Sequence, residues 1–264
     1  MSRTRPIVAI DGPAGSGKTT VSRLVAERLG YVVLDTGALY RTLAFASARA
    51  QLEPGRDDLG AFCDQLVARG AIVMRAGEDG ASRVLLDGQD VTREIRTPEM
   101  SSRASVVSAL PAVRAALLSL QRVIGQDGGV VVEGRDIGTV VFPDAEAKFF
   151  LTASLERRAE RRFKELTTRD PPTLTSVQDQ VAERDRRDSE RAVAPLARAP
   201  DAELMDSTDL GIEEVVERIV QKVRRIETKL GAVRTIDRLE RKTPSDVCAQ
   251  LGRQLVEVDP QRQI

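Results

Sequence analysis

The chain has 264 residues, 41% hydrophobic and 30% charged, with 40 basic residues balancing 40 acidic ones and no histidine. That composition suits a globular protein long enough to bury a core without staples, and zero net charge removes any general attraction to nucleic acid or an anionic membrane. The two cysteines, Cys63 and Cys248, lie far apart and outside any CxxC or Cys/His spacing, which argues against a disulfide framework or zinc site and fits a reducing compartment.

Along the chain, strands and helices alternate, which predicts an α/β fold on a mostly parallel sheet. Residues 7–10 are an apolar strand cut short by Asp11, too short for a signal peptide. No later stretch reaches membrane-spanning length, so a cytoplasmic protein is expected. The spacing of Val21, Leu24, Val25 and Leu29 predicts a helix from about Lys18 that stops at Gly30. Residues 31–34 read as a strand and 37–49 as a helix. Two strand-like runs, 71–75 and 83–87, are separated by the glycine-rich segment 77–80 and predict a small β element outside the main sheet.

Pro111 opens and Gly125 ends a helix whose inward face carries Val113, Ala116, Leu117, Leu120 and Ile124. Residues 130–132 and 148–151 are apolar enough to be buried parallel strands. Two Arg-rich helices, 155–166 and 175–192, flank the breaker Asp170-Pro171-Pro172. Residues 203–206 are the last strand and 212–226 the last helix of the core. Further on, Thr243-Pro244 opens a short helix with Val247, Leu251 and Leu255 on one side.

Gly12, Pro13, Ala14, Gly15, Ser16, Gly17, Lys18 and Thr19 fit the pattern GxxxxGK[ST], between a strand and a helix as that pattern requires. Backbone N–H groups freed by the glycines curl around phosphates, and the helix N-terminus adds a favourable dipole. Lys18 reaches toward the outer phosphates, and the Thr19 hydroxyl is a ligand for Mg²⁺, with Thr20 next in the same turn. A Gly-rich turn with a chance lysine is the bland alternative, and the strand–loop–helix context argues against it. The signal says only that a nucleoside triphosphate binds.

What is missing narrows the class. The chain contains no asparagine, so it lacks the Asn-Lys-x-Asp guanine reader of a GTPase and the metal-binding Asn of a protein-kinase loop. A kinase acting on a hydroxyl needs a base, whereas a nucleoside monophosphate, with a second pKa of about 6, presents an oxygen that is already anionic. An Arg-rich chain without histidine suits the second demand, because only positioning and charge neutralisation remain to be done. A carboxylate base such as Asp136 leaves the first open. Six of the 40 basic residues are Lys and the rest Arg, so an arginine means little except by its place in a motif.

Four segments occur in order: 11–18 (DGPAGSGK), 34–41 (LDTGALYR), 133–143 (EGRDIGTVVFP) and 184–196 (RDRRDSERAVAPL). Together they resemble the bacterial cytidylate kinases over about residues 5–226. The resemblance implies a P-loop NTPase-type five-stranded parallel sheet flanked by helices. It also implies a small inserted β element for the monophosphate at about 63–104 and an Arg-rich helical lid at about 154–190. Residues 227–264 lie outside it as an extension. The implied activity is ATP- and Mg²⁺-dependent phosphorylation of CMP and dCMP in pyrimidine nucleotide metabolism, by a monomer with small-molecule partners only.

Residue by residue, the resemblance implies that Thr36 and Arg41 lie at the monophosphate, with Arg41 on its phosphate. Ser105 and Arg114 match positions on the cytosine. Arg135 matches a phosphate contact, and Asp136 faces base or ribose. Arg184 and Asp188 match the pair near phosphate and sugar, and Arg191 completes the pocket. Glu133 ends an apolar strand, where it would serve Mg²⁺ through water. Arg158, Arg161 and Arg162 match lid arginines that join Lys18, Arg135 and Arg184 in neutralising the transferred group.

On helical spacing alone, Arg184, Asp188 and Arg191 share one face, and without the resemblance a solvated charged face is the simpler reading. Tyr40 and Phe142 are expected to pack and not to stack on a base, and Cys63 and Cys248 to act as small hydrophobic residues.

Overall fold

The computed structural model describes residues 3–240 apart from 56, 77–81 and 167–171, with no side chains described beyond 231. The segment 77–80, Asp170 and Pro171 of the expected breaker, Cys248 and the short helix with Val247, Leu251 and Leu255 lie outside the described residues.

Period-two burial of the central strand organises the fold. In β1 (Ile7–Asp11) every residue is buried, with Ile7 and Ala9 turned to one face of the sheet and Val8 and Ile10 to the other. Only a strand with neighbours on both edges and layers on both faces reads this way. β1 pairs in parallel with β6 (Val130–Gly134) and β7 (Ala147–Thr152), β2 (Val32–Asp35) adds to β6, and β8 (Glu203–Asp206) adds to β7. The order is β2-β6-β1-β7-β8.

Ile7 and Ala9 meet α2 (Thr36–Arg49), α3 (Leu59–Ala68), α4 (Pro98–Val107) and α5 (Pro111–Gly125) through Leu39, Leu43, Cys63, Val107 and Leu117. Cys63 is a core residue whose thiol burial pushes its pKa up to about 12. On the other face, Val21 and Val25 of α1 (Lys18–Leu29) and Val215, Val216, Ile219, Val220 and Val223 of α8 (Ile212–Glu240) cover Val8 and Ile10.

The expected β element is a separate antiparallel sheet of β3 (Ile72–Ala76), β4 (Ser82–Leu86) and a third, two-residue strand β5 (Gln89–Asp90). Ile72, Val84 and Leu86 fasten it to the α2 side of the core. α6 (Leu155–Glu165) and α7 (Leu174–Glu190) form a pair over the P-loop, where Val177 and Val181 pack on Ala14. The helices start where sequence chemistry sets a cap: Asp35, Asp58, Thr97, Ser154 and Thr173 each accept a hydrogen bond from the first-turn N–H of α2, α3, α4, α6 and α7.

Three expectations need correction. Ile124 is exposed, because the last turn of α5 directs Gln121 and Gly125 inward instead. α7 stops at Glu190, so Arg191 is an extended cap residue and not a third member of a helical face. The last helix continues unbroken from Ile212 to Glu240, past the expected end at 226. Among the described residues, no single helix is long and apolar enough to cross a membrane.

Candidate active site

The site lies beyond the carboxyl ends of β1, β2 and β6, where open parallel sheets form ligand crevices. After Asp11 the chain turns through 12–17 into α1. A Cβ on Gly12 would stand 2.0 Å from the Leu151 carbonyl oxygen, and one on Gly15, at φ +72°, 2.7 Å from that of Arg158. Only glycine lets the loop lie so close to β7 and α6. Lys18 Nζ folds back to donate to the Pro13 carbonyl at 2.7 Å and Ser16 Oγ at 3.3 Å. Burial, then the nearby Arg135, lower its pKa.

Thr19 Oγ1 donates to Glu133 Oε2 at 3.0 Å, while Glu133 Oε1 is buried with no partner among the described residues. Burial, followed by the neighbouring Asp35, pushes the Glu133 carboxyl up to about 7. Asp11, raised by burial to about 6, accepts from the N–H groups of Ile137 and Gly138, both at 2.8 Å. That grip fixes the single π-turn at Ile137–Val141, which follows directly on Arg135 and Asp136.

Opposite the P-loop stands a wall of arginines. Asp35 caps α2 with one oxygen and pairs with Arg41 at 2.8 Å through the other. Thr36 Oγ1 donates to the Glu133 carbonyl at 2.8 Å, binding the start of α2 to β6. Arg135 Nε reaches Asp188 at 2.8 Å. Arg184 is half-buried, with its Nε covered and unpartnered among the described residues, and burial, then repulsion from Arg135, bring its pKa down to about 10.

At the far end Arg114 pairs with Asp136 and donates to the Ser108 carbonyl at 3.2 Å, and Arg191 meets the second Asp136 oxygen at 3.2 Å. Even so, burial holds the Asp136 carboxyl above its ordinary value. Ser105 Oγ is buried beside them without a partner among the described residues.

One cavity of about 460 Å³ joins these parts. Gly15, Gly17, Lys18, Thr19 and Thr20 line one end, Arg41, Arg135, Arg162 and Arg184 the middle, and Ser105, Arg114, Asp136, Asp188 and Arg191 the other. Of the expected residues, Gly12, Pro13 and Ser16 shape the loop without lining the cavity. Arg158 and Arg161 do not line it either. Arg158 donates to the carbonyls of Ala153 (2.9 Å) and Ala14 (3.1 Å) and pairs with Asp185. Arg161 donates to the carbonyls of Ser16 (3.3 Å) and Ser207 (2.7 Å). It also borders a second cavity of about 340 Å³ with Arg157, Thr208 and Gly211.

Asp35 and Arg187 line the cavity and Asp11 holds the turn behind it, although none of the three was assigned a role from the sequence. Asp11 and Asp35 were signalled by their position at the ends of buried strands, and Arg187 by its place three residues after Arg184. Tyr40 packs as expected, but the Arg114 guanidinium lies 5.6 Å from its ring centre, within cation–π range. Phe142 is buried.

A P-loop on the central strand of a parallel sheet, facing a wall of arginines across one cavity, defines a P-loop kinase whose acceptor is itself an anion. The nucleoside monophosphate kinases are one such class. The sequence model of the cytidylate kinase family matches residues 8–225, and the chain belongs to that family. It is 49% identical over 220 residues to the cytidylate kinase of Geobacter sulfurreducens, covering 83% of this chain and 92% of the relative. It is 48% identical over 223 residues to that of Pseudomonas syringae pv. tomato, covering 83% and 95%.

Proposed function

We propose that the cleft transfers the γ-phosphoryl group of ATP to the phosphate of CMP or dCMP, giving ADP and CDP or dCDP. The observation that carries this reading is the single cavity running from Lys18 past Arg135 and Arg184 to the Arg114–Asp136 pair. A triphosphate seated on the N–H groups of the P-loop, with Lys18 released from Pro13, presents its outer phosphate to the arginines. The acceptor's phosphate meets Arg41, Arg135 and Arg184. Its base extends to Ser105, Arg114 and Asp136, and its sugar to Asp188 and Arg191.

An acceptor oxygen attacks the γ-phosphorus, a P–O bond forms, and the bond to the bridging oxygen breaks with its electron pair leaving on ADP. With the acceptor already ionised at a second pKa of about 6, no proton has to be removed. The developing charge is met by Lys18, Arg135, Arg162 and Arg184, which line the same cavity. Arg158 and Arg161 support the P-loop from the lid, and the second cavity beside Arg161 suits the adenine.

Mg²⁺ fits this site, because Thr19 Oγ1 and the unpartnered Glu133 Oε1 are hard oxygen donors beside the phosphate loop. Thr19 would hold it directly and Glu133 through water. When bound, the ion adds positive charge at the outer phosphates. The reading extends to a monomer working in the cytoplasm, free of nucleic acid and membrane. Residues 1–226 form its catalytic domain, with the inserted β element (about 63–104) and lid (about 154–190), and residues 227–264 have no part in the chemistry.

ADP release measured over CMP, dCMP, UMP, AMP and GMP tests the proposal. CMP and dCMP should be the best acceptors, with little ADP formed when no acceptor is present. A preference for AMP or GMP, or equal release without an acceptor, overturns it.

A further inference from the structure

Asp185 lies within the Arg-rich motif of α7, yet it does not line the cavity. Its Oδ1 accepts from the Ala14 N–H of the P-loop at 3.0 Å, and its Oδ2 pairs with Arg158. Arg158 in turn donates to the carbonyl of the same Ala14 at 3.1 Å, so one P-loop residue is gripped at both its N–H and its C=O. Asp185 continues the face of Val177 and Val181, four residues apart each time, and those two valines pack on Ala14. Apolar packing of that kind is non-directional and tolerates sliding, whereas a carboxylate with two fixed partners sets rotation and register. Arg184 and Asp188 stand on the adjoining face of the same helix and line the cavity.

We propose that Asp185, braced by Arg158, is a positioning residue that fixes the register of α7 on the P-loop and so sets Arg184 and Asp188 against the phosphates held there. The inference rests on the proposed phosphoryl-transfer reading of the cleft. It also accounts for Arg158, an arginine of the lid whose guanidinium is committed to the loop and to Asp185 and not turned to the cavity.

The test is a cycle of Asp185→Ala, Asp185→Asn and Arg184→Met, singly and combined, with CMP and ATP varied well below each variant's melting temperature. Asp185→Ala is expected to lower kcat ~10²-fold, as a misplacement of about 1 Å does. Arg184→Met alone should cost ~10²-fold, but less than about tenfold more on top of Asp185→Ala, because the arginine is already displaced. If Asp185→Ala does not fold, the isosteric Asp185→Asn decides, with an expected ~10-fold loss in kcat and the same shortfall from multiplicativity.

A kcat within about threefold of wild type in the folded Asp185 variant, or losses that multiply fully, overturns the inference and leaves the cleft reading standing. An inert Arg184→Met brings down the cleft reading, and the inference with it.

Discussion

Arg135, at the end of β6, and Asp188, on α7, meet at 2.8 Å across the cleft. Burial alone would raise the Asp188 carboxyl, but Arg135 and then Arg184 hold it below the usual range. The carboxylate therefore screens two guanidinium groups that repel each other, a repulsion that adds to burial in lowering the Arg184 pKa. Removing one member of such a buried pair costs ~2–5 kcal/mol, most of it from the partner left behind. Asp188→Ala should accordingly lower kcat/KM for CMP by at least ~30-fold while KM for ATP changes little. Steady-state kinetics with each substrate varied will check this, and an unchanged kcat/KM for CMP would contradict the role given to the pair.

Lys18→Ala removes the cation that the P-loop holds ready on Pro13 and Ser16. A preorganised donor to transition-state charge is worth ~10²–10³-fold in kcat. The variant should fold, since Lys18 gives up an unfavourable burial. A kcat above about a tenth of wild type would be inconsistent with the assignment.

Much of this was legible in the chain. The P-loop announces itself because phosphate binding needs glycines where a backbone approaches within contact of β7 and α6. The buried strands announce themselves because residues such as Val130, Val131 and Val132 must be apolar on both faces. Side-chain direction was less legible.

Arg158 and Arg162 sit four apart on α6, yet only Arg162 lines the cavity. The carbonyls of Ala153 and Ala14 and the Asp185 carboxylate capture Arg158, and none of those contacts is local enough to read from spacing. The end of α7 was hidden for a similar reason. Asp136, 55 residues earlier, and the nearby carbonyl of Ala194 draw Arg191 out of the helix. The two-residue β5 carries no periodicity to recognise.

Arg114→Met tests the base end. The substitution leaves Asp136 buried with Arg191 as its remaining guanidinium partner among the described contacts. Losing one partner of a buried pair typically costs ~3–5 kcal/mol, so the melting temperature should fall by several degrees. Calorimetric titration should show CMP binding weakened by at least about tenfold, with ATP binding close to wild type. Equal weakening of both nucleotides would mean that Arg114 supports the fold and does not read the acceptor.

Glu133 makes stability depend on pH. Its folded pKa of about 7 lies above the ordinary 4.5, so between those values the folded protein holds a proton that the unfolded chain has released. Stability from this group is full below about pH 4.5 and declines as pH rises toward 7. The total is on the order of 3 kcal/mol at 1.36 kcal/mol per pH unit. Glu133→Gln should flatten that part of the melting-temperature profile of the nucleotide-free enzyme. It should also weaken the Mg²⁺ dependence of turnover, by loss of the charge behind Thr19. A profile from pH 4.5 to 7 parallel to wild type would show that Glu133 is not the group responsible.

The reach of α8 sets the last expectation. The helix buries Val215, Val216, Ile219, Val220 and Val223 against the sheet, half-buries Ile226, and then continues to Glu240. Glu227 accepts a hydrogen bond from Tyr31 Oη at 2.5 Å, so the contact with the core extends at least one turn past Val223. Every residue proposed for the chemistry precedes that turn. A chain ending just after Glu227 keeps the whole buried stripe and should phosphorylate CMP at a rate close to the full chain.

A chain ending at Lys222 loses Val223, the half-buried Ile226 and the Tyr31 contact. At ~1.5–3 kcal/mol for a large apolar side chain fully buried, and about half that for Ile226, with ~2–4 °C per kcal/mol for a protein of this size, it should melt roughly 5–18 °C lower. Thermal melts paired with CMP kinase assays on the three lengths separate the two effects. A loss of rate in the chain ending after Glu227, at temperatures where it remains folded, would mean that the C-terminal residues reach the cleft.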